Sequence, residues 1–218
     1  AGVQGNGQEE LVETLLGLRP AESGSVRLYG EALLGRTPHQ ILGEGVGFVP
    51  EDRQHDGLVG SLSVAENLVL DLYDRDEFSQ GVRLRRGAIR ENAEQRVQEF
   101  DVRTPSTTVP AGTLSGGNQQ KVVLAREMSR SLRLFVASQP TRGVDVGAQE
   151  FIHKRIVRER DQGTPVVIVS SELDEILALA DRIAVIYRGQ IIGVAPASAT
   201  RDEIGLMMAG VPPHQAKA

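Results

Sequence analysis

The sequence predicts an α/β protein with a largely parallel sheet and an inserted helical lobe, and three observations support this. Short apolar runs such as Val46–Val49 and Pro165–Val169 alternate with segments of helical periodicity. Two glycine loops, Ala1–Gly7 and Leu114–Gly117, each precede a helical segment. A helix-rich stretch from Val64 to about Thr104 separates two regions of alternation and is interpreted as an insertion.

The first part of the chain predicts short elements separated by turns. Apolar residues within residues 8–18 recur at helical spacing, and Gly17 can end that helix. In chain order, the elements that follow are a turn at Pro20–Gly24, strands at Ser25–Tyr29 and Val46–Val49, the stretch from Val64, and a charged helix at Arg90–Phe100.

The pattern of the second part of the chain predicts strands that alternate with helices. After a loop at Thr104–Ala111, the predicted helices are Asn118–Arg130, Gln149–Arg160 and Glu172–Leu179, and the predicted strands between them are Leu132–Ala137 and Pro165–Val169. A hairpin of strands Arg182–Tyr187 and Gln190–Val194 follows, and Val211–Ala218 is expected to be a loose tail. We therefore expect a core of residues 1–60 and 118–210, with a helical lobe of residues 61–117.

Composition limits the possible functions. The 218 residues include 24 Lys and Arg against 29 Asp and Glu, a net charge of −5, which argues against a polyanion-binding protein. The absence of cysteine excludes a disulfide scaffold, a thiolate metal site and a cysteine nucleophile. No apolar run reaches the ~18–20 residues that span a bilayer, and no signal-peptide pattern is visible. The chain opens without Met inside a motif, so we expect that upstream residues, including the first strands, are missing.

The first glycine motif has the spacing of a phosphate-binding loop. Gly2, Gly5 and Gly7 precede a helix, and such a loop can direct backbone N–H groups at phosphate oxygens. The pattern then departs from G-x-x-x-x-G-K-[ST], because Gln8 stands at the lysine position and Glu9 at the hydroxyl position. Taken alone, the motif favours a plain glycine turn before a helix over a phosphate-binding loop.

Charged residues elsewhere have ordinary interpretations. Asp52 and Arg53 are consistent with a surface ion pair. The basic cluster Arg83–Arg86 indicates a solvated face of the helical lobe. No two of the four histidines have the spacing of metal ligands, so they are expected at the surface.

The second glycine motif resembles the signature motif of ATP-binding-cassette (ABC) ATPase domains. Its residues are Leu114, Ser115, Gly116, Gly117, Asn118 and Gln119. Other segments follow in the order of that family: Phe48–Glu51 resembles the Q-loop with Glu51 in place of Gln, Leu134–Ala137 with Ser138 and Gln139 resembles the Walker B strand, Gly143–Asp145 resembles the D-loop, and Val166–Val169 with Ser170 and Ser171 resembles the switch segment, where His normally stands at Ser171.

A narrower resemblance, to the second cassette of fused sugar- and nucleoside-importer ATPases, rests on Pro50–Arg53 with Asp56–Leu58, Ser115–Gln120 and Pro140–Gly143. It implies a second interpretation of Asp52 and Arg53, a coupling region that faces a membrane partner. The resemblance implies a P-loop NTPase core, RecA-like, with an α-helical signature lobe. It implies ATP and Mg²⁺ as cofactors, and as partners a second ABC cassette, transmembrane permease subunits and, indirectly, an extracytoplasmic solute-binding protein, with no nucleic acid. The expected location is the cytoplasmic face of the cell membrane. The implied nucleotide-binding residues are Gly2, Gly5, Asn6, Gly7, Gln8, Glu9, Glu51 and Ser138, and Asp145 is the implied D-loop acid.

Departures from the family pattern predict that the chain's own site is inactive or very slow. Gln8 removes a positive charge, and a charge pair at ~4 Å and an effective dielectric of ~20 is worth about 4 kcal/mol. Ser138 stands where the family carries a carboxylate that supports Mg²⁺. Gln139 cannot act as a general base, and Ser171 cannot form a charged contact with the γ-phosphate. Glu9 could itself bind Mg²⁺, which would allow nucleotide binding without turnover.

The signature, by contrast, is intact. The resemblance implies that Ser115, Gly116 and Gly117 complete the active site of a partner cassette. Two alternatives stay open: an independent symmetric homodimeric ATPase, and a non-transport ABC-type protein that acts on nucleic acid or ribosomes.

Overall fold

A computed structural model of the chain describes residues 1–212. Its helices are α1 (Gln8–Leu15), α2 (Pro38–Gly43), α3 (Val64–Asn67), α4 (Arg86–Glu99), α5 (Gly116–Glu127), α6 (Val146–Asp161), α7 (Leu173–Leu179) and α8 (Arg201–Met208). Its strands are β1 (Arg27–Leu28), β2 (Glu31–Ala32), β3 (Val46–Val49), β4 (Ser79–Gln80), β5 (Arg83–Leu84), β6 (Leu134–Ser138), β7 (Val166–Val169), β8 (Arg182–Tyr187) and β9 (Gln190–Pro196). Among these residues, no helix is both long and apolar enough to cross a bilayer.

The chain divides into two compact units. Unit 1 consists of Ala1–Val46, Arg133–Gln139 and the described residues from Val157 onward. Unit 2 consists of Gly47–Leu132 and Pro140–Ile156. The sequence-based division into a core of residues 1–60 and 118–210 and a helical lobe of residues 61–117 differs from these two units. It stays a prediction.

Unit 1 contains the parallel pairing that the sequence predicts. Strand β6 pairs in parallel with β7, and Ser138 lies opposite Val169 at the last position of the ladder. Gly45, immediately before β3, accepts hydrogen bonds from the N–H groups of Arg133 and Leu134 at the start of β6. Because β6 and β7 are parallel, the residues that follow them lie at the same edge of the sheet, beyond the carboxyl ends of the two strands.

A hairpin forms the second part of unit 1. Strands β8 and β9 pair antiparallel around Arg188 and Gly189, whose φ angles of 49° and 76° are the two positive values that a type I′ turn needs. A buried apolar cluster joins this hairpin to α7 and α8. Its members are Ile176, Ile183, Val185, Ile204, Met207 and Met208.

Unit 2 is built around α5, whose residues from Gln119 to Glu127 are all buried. Helices α3 and α4 pack against it. The Glu127 carboxylate lies within this packing, where Oε2 accepts from the Phe48 amide at 3.0 Å and from Arg130 Nη2 at 2.5 Å, and Oε1 accepts from Arg126 Nε at 2.9 Å. Because a buried charge must be paired, this network fixes α5 to the segment that begins with β3.

Several predicted boundaries change in the structure. The strand expected at Ser25–Tyr29 is only β1, because Tyr29 and Gly30 adopt positive φ and form a turn into β2. The helix-rich stretch is interrupted by the β4–β5 hairpin, whose turn contains Gly81 at φ 61°. Helix α5 begins at Gly116, two residues before the predicted start.

Two helices were not predicted, although the sequence carries their caps. Thr37 and Gln40 form a capping box at α2, and Thr200 and Glu203 form one at α8. These helices have six and eight residues, and neither segment was interpreted as a helix from the sequence. The predicted loose tail falls largely on residues 213–218, outside the described part of the chain.

Candidate functional site

The first glycine loop is held against the β8–β9 hairpin by backbone contacts. The amino group of Ala1 donates to the Ala184 carbonyl at 2.7 Å, and the Ile186 amide donates to the Ala1 carbonyl at 2.8 Å. This alternation is that of a parallel pair. A Cβ on Gly2 would lie 2.7 Å from the Ile186 carbonyl oxygen, so the close approach requires glycine there.

Asn6 and Gly7 fix the end of the loop. Asn6 Oδ1 accepts from the Arg188 amide at 2.8 Å, and the Asn6 carbonyl accepts from the Gly189 amide at 2.8 Å. Gly7 is the N-cap of α1 with φ 107°, a left-handed conformation that favours glycine. The loop therefore cannot move independently of the hairpin turn.

Gln8 folds back over the loop. Its Oε1 accepts from the Asn6 backbone N–H at 2.9 Å, and its Nε2 donates to the Val3 carbonyl at 2.8 Å. A Cβ on Gly2 would lie 2.6 Å from Nε2, so the amide rests directly on the loop. Glu9, at the next position, is exposed in the first turn of α1, where a negative charge complements the helix dipole.

The residues after β6 and β7 meet through one side chain. Gln139 has φ 49°, an uncommon value for a residue other than glycine. Its Nε2 donates to Ser171 Oγ at 3.0 Å, and its Oε1 accepts from the Ser171 amide at 3.2 Å. Ser170 Oγ is 3.5 Å from the same Oε1. None of these three side chains exchanges a proton near neutral pH, so none of them can act as a general base.

Ser138, the last residue of β6, is also placed at this edge. Its side chain is buried, at 6% exposure. A serine there offers a neutral oxygen, in contrast to the carboxylate that the family resemblance expects at this position.

The start of α5 presents the signature residues. Ser115 is exposed and occupies the N-cap position, yet its side chain does not cap the helix. Instead, Ser115 Oγ accepts from Asn118 Nδ2 at 2.9 Å. The backbone N–H groups of the first helical turn have no intrahelical partner, which makes this end of the helix electropositive.

The neighbouring side chains hold this helix start in place. Asn118 Oδ1 accepts from the Arg103 amide at 2.7 Å. Gln119 Nε2 lies 3.4 Å from the carbonyl oxygen of Ala111, and its Oε1 accepts from Gln54 Nε2 at 3.3 Å. Leu114 closes the short turn before the helix by donating its amide to the Ala111 carbonyl at 3.2 Å. The exposed serine therefore projects from a fixed framework.

Asp145 lies against the second signature glycine. Its Oδ1 accepts from the Ala148 amide at 2.9 Å, and this hydrogen bond is the main reason that the pKa of Asp145 is lowered. A Cβ on Gly117 would lie 2.9 Å from Asp145 Oδ2 and 2.9 Å from the Ala148 methyl group. Glycine at position 117 is what allows α5 and the start of α6 to approach this closely.

Arg53 joins the Q-loop region to the segment that precedes Asp145. Its Nη1 donates to the Arg142 carbonyl at 2.6 Å, and its Nη2 donates to the Gly143 carbonyl at 3.2 Å. Glu51 forms an ion pair with the Arg142 guanidinium. A Cβ on Gly116 would lie 2.6 Å from Arg53 Nη2, so the guanidinium also contacts the signature.

Asp52 and Arg53 direct their hydrogen bonds to backbone groups rather than to each other. Asp52 Oδ1 accepts from the amides of Gln54 and His55, at 2.9 and 3.1 Å, and so caps the single π-helical turn Arg53–Gly57. These hydrogen bonds, that from His55 first, lower the pKa of Asp52. No local pattern signals the role of Arg53, because its carbonyl partners lie about 90 residues away along the chain.

The donor set of the first loop does not fit a magnesium–triphosphate complex. The Asn6 N–H, which a phosphate oxygen would accept from, is bonded to Gln8. Gln8 supplies no positive charge, and Ser138 and Gln139 supply no negative one at the β6 edge. Within the described residues, no group of three or more His, Asp or Glu side chains could hold a metal ion. A role of Glu9 as a magnesium ligand stays a prediction.

Within each unit, the structure brings some of the predicted site residues into contact. Unit 1 joins the loop residues Gly2, Asn6, Gly7 and Gln8, and separately joins Gln139 with Ser171. Unit 2 joins the signature residues with Asp145 and Arg53. Gly5, with φ 83° and open space around it, contacts none of these side chains.

Comparison with known proteins finds relatives that match almost the whole chain. The chain is 48% identical over 211 residues to the nucleoside import ATP-binding protein NupA of Lactococcus lactis subsp. cremoris, covering 96% of this chain and 42% of that protein. It is 48% identical over 213 residues to the glucose import ATP-binding protein TsgD13 of Haloferax volcanii, covering 96% of this chain and 39% of that protein. The chain thus spans about two fifths of the length of these relatives.

A solved structure and a family model identify the fold and the family. A nucleotide-free ATP-binding cassette from an ABC transporter superposes with a TM-score of 0.76 at 20% identity, covering 100% of this chain and 85% of that one. The family model described as ABC transporter matches residues 1–142. The chain therefore belongs to the ABC transporter family.

Proposed function

We propose that the chain is an ATP-binding module of an importer for sugars or nucleosides and that it supplies the signature side of a partner cassette's hydrolytic site. Relatives named for nucleoside import and for glucose import are equally similar to it, at 48% identity, which supports the class of solute and not one member of it. The proposed partners are a second ABC cassette, permease subunits and an extracytoplasmic solute-binding protein. The proposed location is the cytoplasmic face of the membrane.

One observation supports a signature donated by this chain and hydrolysis at the partner's loop. Ser115 is exposed at the electropositive start of α5 and does not cap its own helix. Its hydroxyl and the adjacent N–H groups can therefore meet the phosphates of a nucleotide held by another cassette. By contrast, Gln139 and Ser171 hydrogen-bond each other where hydrolysis needs a base and a charged contact. These features favour donation of the signature over catalysis at the chain's own loop.

The alternative of a symmetric ATPase requires a competent loop in this chain. The neutral Gln8, Ser138, Gln139 and Ser171 argue against it, because hydrolysis needs charge compensation and an activated water. The net charge does not favour a role on nucleic acid, since acidic residues outnumber basic ones.

The test is a substitution at Ser115 in the full-length protein assembled with its partners. Ser115→Arg places a long charged side chain over the start of α5, and we expect ATP hydrolysis to fall by about 100-fold or more, the scale on which losing a positioned electrostatic group acts. Ser198→Arg adds the same side chain at an exposed serine of unit 1 and should hydrolyse ATP at the parental rate.

Equal ATPase rates for Ser115→Arg and Ser198→Arg would refute the proposed donation. A parallel assay of solute uptake in vesicles distinguishes the importer from other ABC proteins. Uptake should fall together with hydrolysis in Ser115→Arg. Hydrolysis without any effect of solute or permease would contradict the importer assignment.

A further inference from the structure

We propose that the side-chain amide of Gln8 is an internal ligand of its own phosphate loop, filling the donor and acceptor positions that a nucleotide would otherwise engage. This inference rests on the proposed function and deepens it, because it gives a physical cause for slow or absent ATP hydrolysis at this chain's own site. It concerns a contact in which the side chain at the lysine position stabilises the loop without any phosphate.

The amide makes two hydrogen bonds that close the loop on itself. Gln8 Oε1 takes the Asn6 N–H at 2.9 Å, which is the role of a phosphate oxygen in a phosphate-binding loop. Gln8 Nε2 donates to the Val3 carbonyl oxygen at 2.8 Å. This oxygen carries a partial negative charge, so a bound anion would be repelled by it. Both halves of one amide are used, so a neutral side chain satisfies a donor and an acceptor of the loop at the same time.

A lysine cannot make this arrangement. An ammonium group has only donors, so it could reach the Val3 carbonyl but could not accept from the Asn6 N–H. The N–H would then be left for a phosphate oxygen. Replacing lysine by glutamine therefore does more than remove a charge, because it adds an acceptor that competes directly with the ligand.

The surroundings keep the amide in this position. A Cβ on Gly2 would lie 2.6 Å from Gln8 Nε2, so the side chain rests on the buried backbone of Gly2. Asn6 is anchored from the other side, because Oδ1 accepts from the Arg188 amide at 2.8 Å and its carbonyl accepts from the Gly189 amide at 2.8 Å. The loop therefore cannot relax away from Gln8 without breaking its attachment to the hairpin.

The size of the competition follows from the two hydrogen bonds. Their net contribution corresponds to about a 5- to 150-fold preference for the closed loop over an open one. An incoming phosphate must overcome this preference before it gains any contact of its own. The apparent affinity of the loop for a polyphosphate is lowered by the same factor.

Hydrogen–deuterium exchange of the full-length protein tests the proposal without measuring activity. In the absence of nucleotide, we expect the Asn6 amide to be protected in the parent protein and to exchange about 2- to 13-fold faster in Gln8→Met, which keeps the bulk and removes both hydrogen bonds. Gln98→Met, an exposed substitution in α4, is the matched control and should leave exchange in the loop unchanged. Gln8→Ala serves as a second variant if Gln8→Met does not fold.

Inorganic triphosphate is the probe for the competition. It should increase protection of the loop in Gln8→Met at concentrations about 5- to 150-fold below those needed in the parent. An unprotected Asn6 amide in the parent, or equal responses of parent and variant to triphosphate, would overturn the proposal.

The proposed function can fail separately from this inference. If triphosphate enters the parental loop readily while Ser115→Arg still abolishes hydrolysis, the internal ligand is refuted and the donated signature stands. If Ser115→Arg hydrolyses ATP normally while the Gln8 variants behave as expected, the opposite holds.

Discussion

Replacing Gly117 by alanine is expected to destabilise the signature end of α5. The added Cβ would lie 2.9 Å from the Ala148 methyl carbon and 2.9 Å from Asp145 Oδ2, closer than Cβ atoms approach such groups in real structures. The methyl group of Ala148 cannot rotate away, so α5 and the start of α6 must separate. Asp145 would move with that segment, and its hydrogen bond to the Ala148 amide would be disturbed.

The change in the free energy of unfolding caused by Gly117→Ala is the sum of two opposing effects. Overpacking a close contact costs about 1–3 kcal/mol. Replacing glycine by alanine within a helix returns up to about 1 kcal/mol. Gly87 isolates the second effect, because it is the second residue of α4 just as Gly117 is the second residue of α5, and nothing lies within 4 Å of its added Cβ.

Urea denaturation of Gly117→Ala and Gly87→Ala provides the measurement. The difference between their free energies of unfolding should be about 1–3 kcal/mol, with Gly117→Ala the less stable variant. In the assembled protein, Gly117→Ala should also hydrolyse ATP more slowly than Gly87→Ala. Equal stabilities of the two variants would refute the close packing of α5 against the segment that begins at Asp145.

Three further predictions follow from unit 2. Glu127→Ala removes a carboxylate shared by two buried arginines and a backbone amide, so urea denaturation should show a loss of about 3–5 kcal/mol, and a loss below about 1 kcal/mol would contradict the network. The hydrogen bond and charge of Lys121 hold the pKa of Asp101 below its ordinary value of 3.8, so the pair contributes stability above that value and loses it as the pH falls through the lowered pKa. Asp101→Asn should therefore be less stable than the parent by a constant margin between about pH 5 and 7, and a margin that does not shrink on acidification below about pH 3 would contradict this assignment. In Arg53→Lys, the lysine cannot donate to the two carbonyls of Arg142 and Gly143 in fixed geometry, so hydrogen–deuterium exchange of the amides around Gly143 should increase. Unchanged exchange would show that the two hydrogen bonds of Arg53 do not hold this segment.

Local signals in the sequence predicted much of the fold. Strand β3 has the predicted bounds because Pro50 ends an apolar run, and α1 starts where a glycine loop meets the first apolar-periodic residues. The β8–β9 hairpin follows from Arg188 and Gly189 between two apolar runs. In each of these cases, the information that determines the element lies within a few residues of it.

The side-chain contacts of the site could not be predicted in the same way. Gln139 and Ser171 lie 32 residues apart, and Arg53 and Gly143 lie 90 residues apart, so their contacts depend on tertiary packing. The Gln8 contact is local, but a glutamine after a glycine loop has many rotamers, and only the positions of Gly2 and Asn6 select this one. The sequence therefore indicates which residues depart from the family pattern, while the structure gives the bonds that they form instead.

Counting the nucleotide that is trapped during turnover tests whether only one of two paired sites hydrolyses ATP. The full-length protein, assembled with its partners, would hydrolyse ATP in the presence of vanadate, and the ADP retained after desalting would be measured per molecule. We expect one ADP for each pair of cassettes, because we propose that Gln8 closes this chain's loop and that its signature serves the partner. Two retained ADP molecules for each pair, with a photoreactive nucleotide labelling residues 1–9 of this chain, would contradict it.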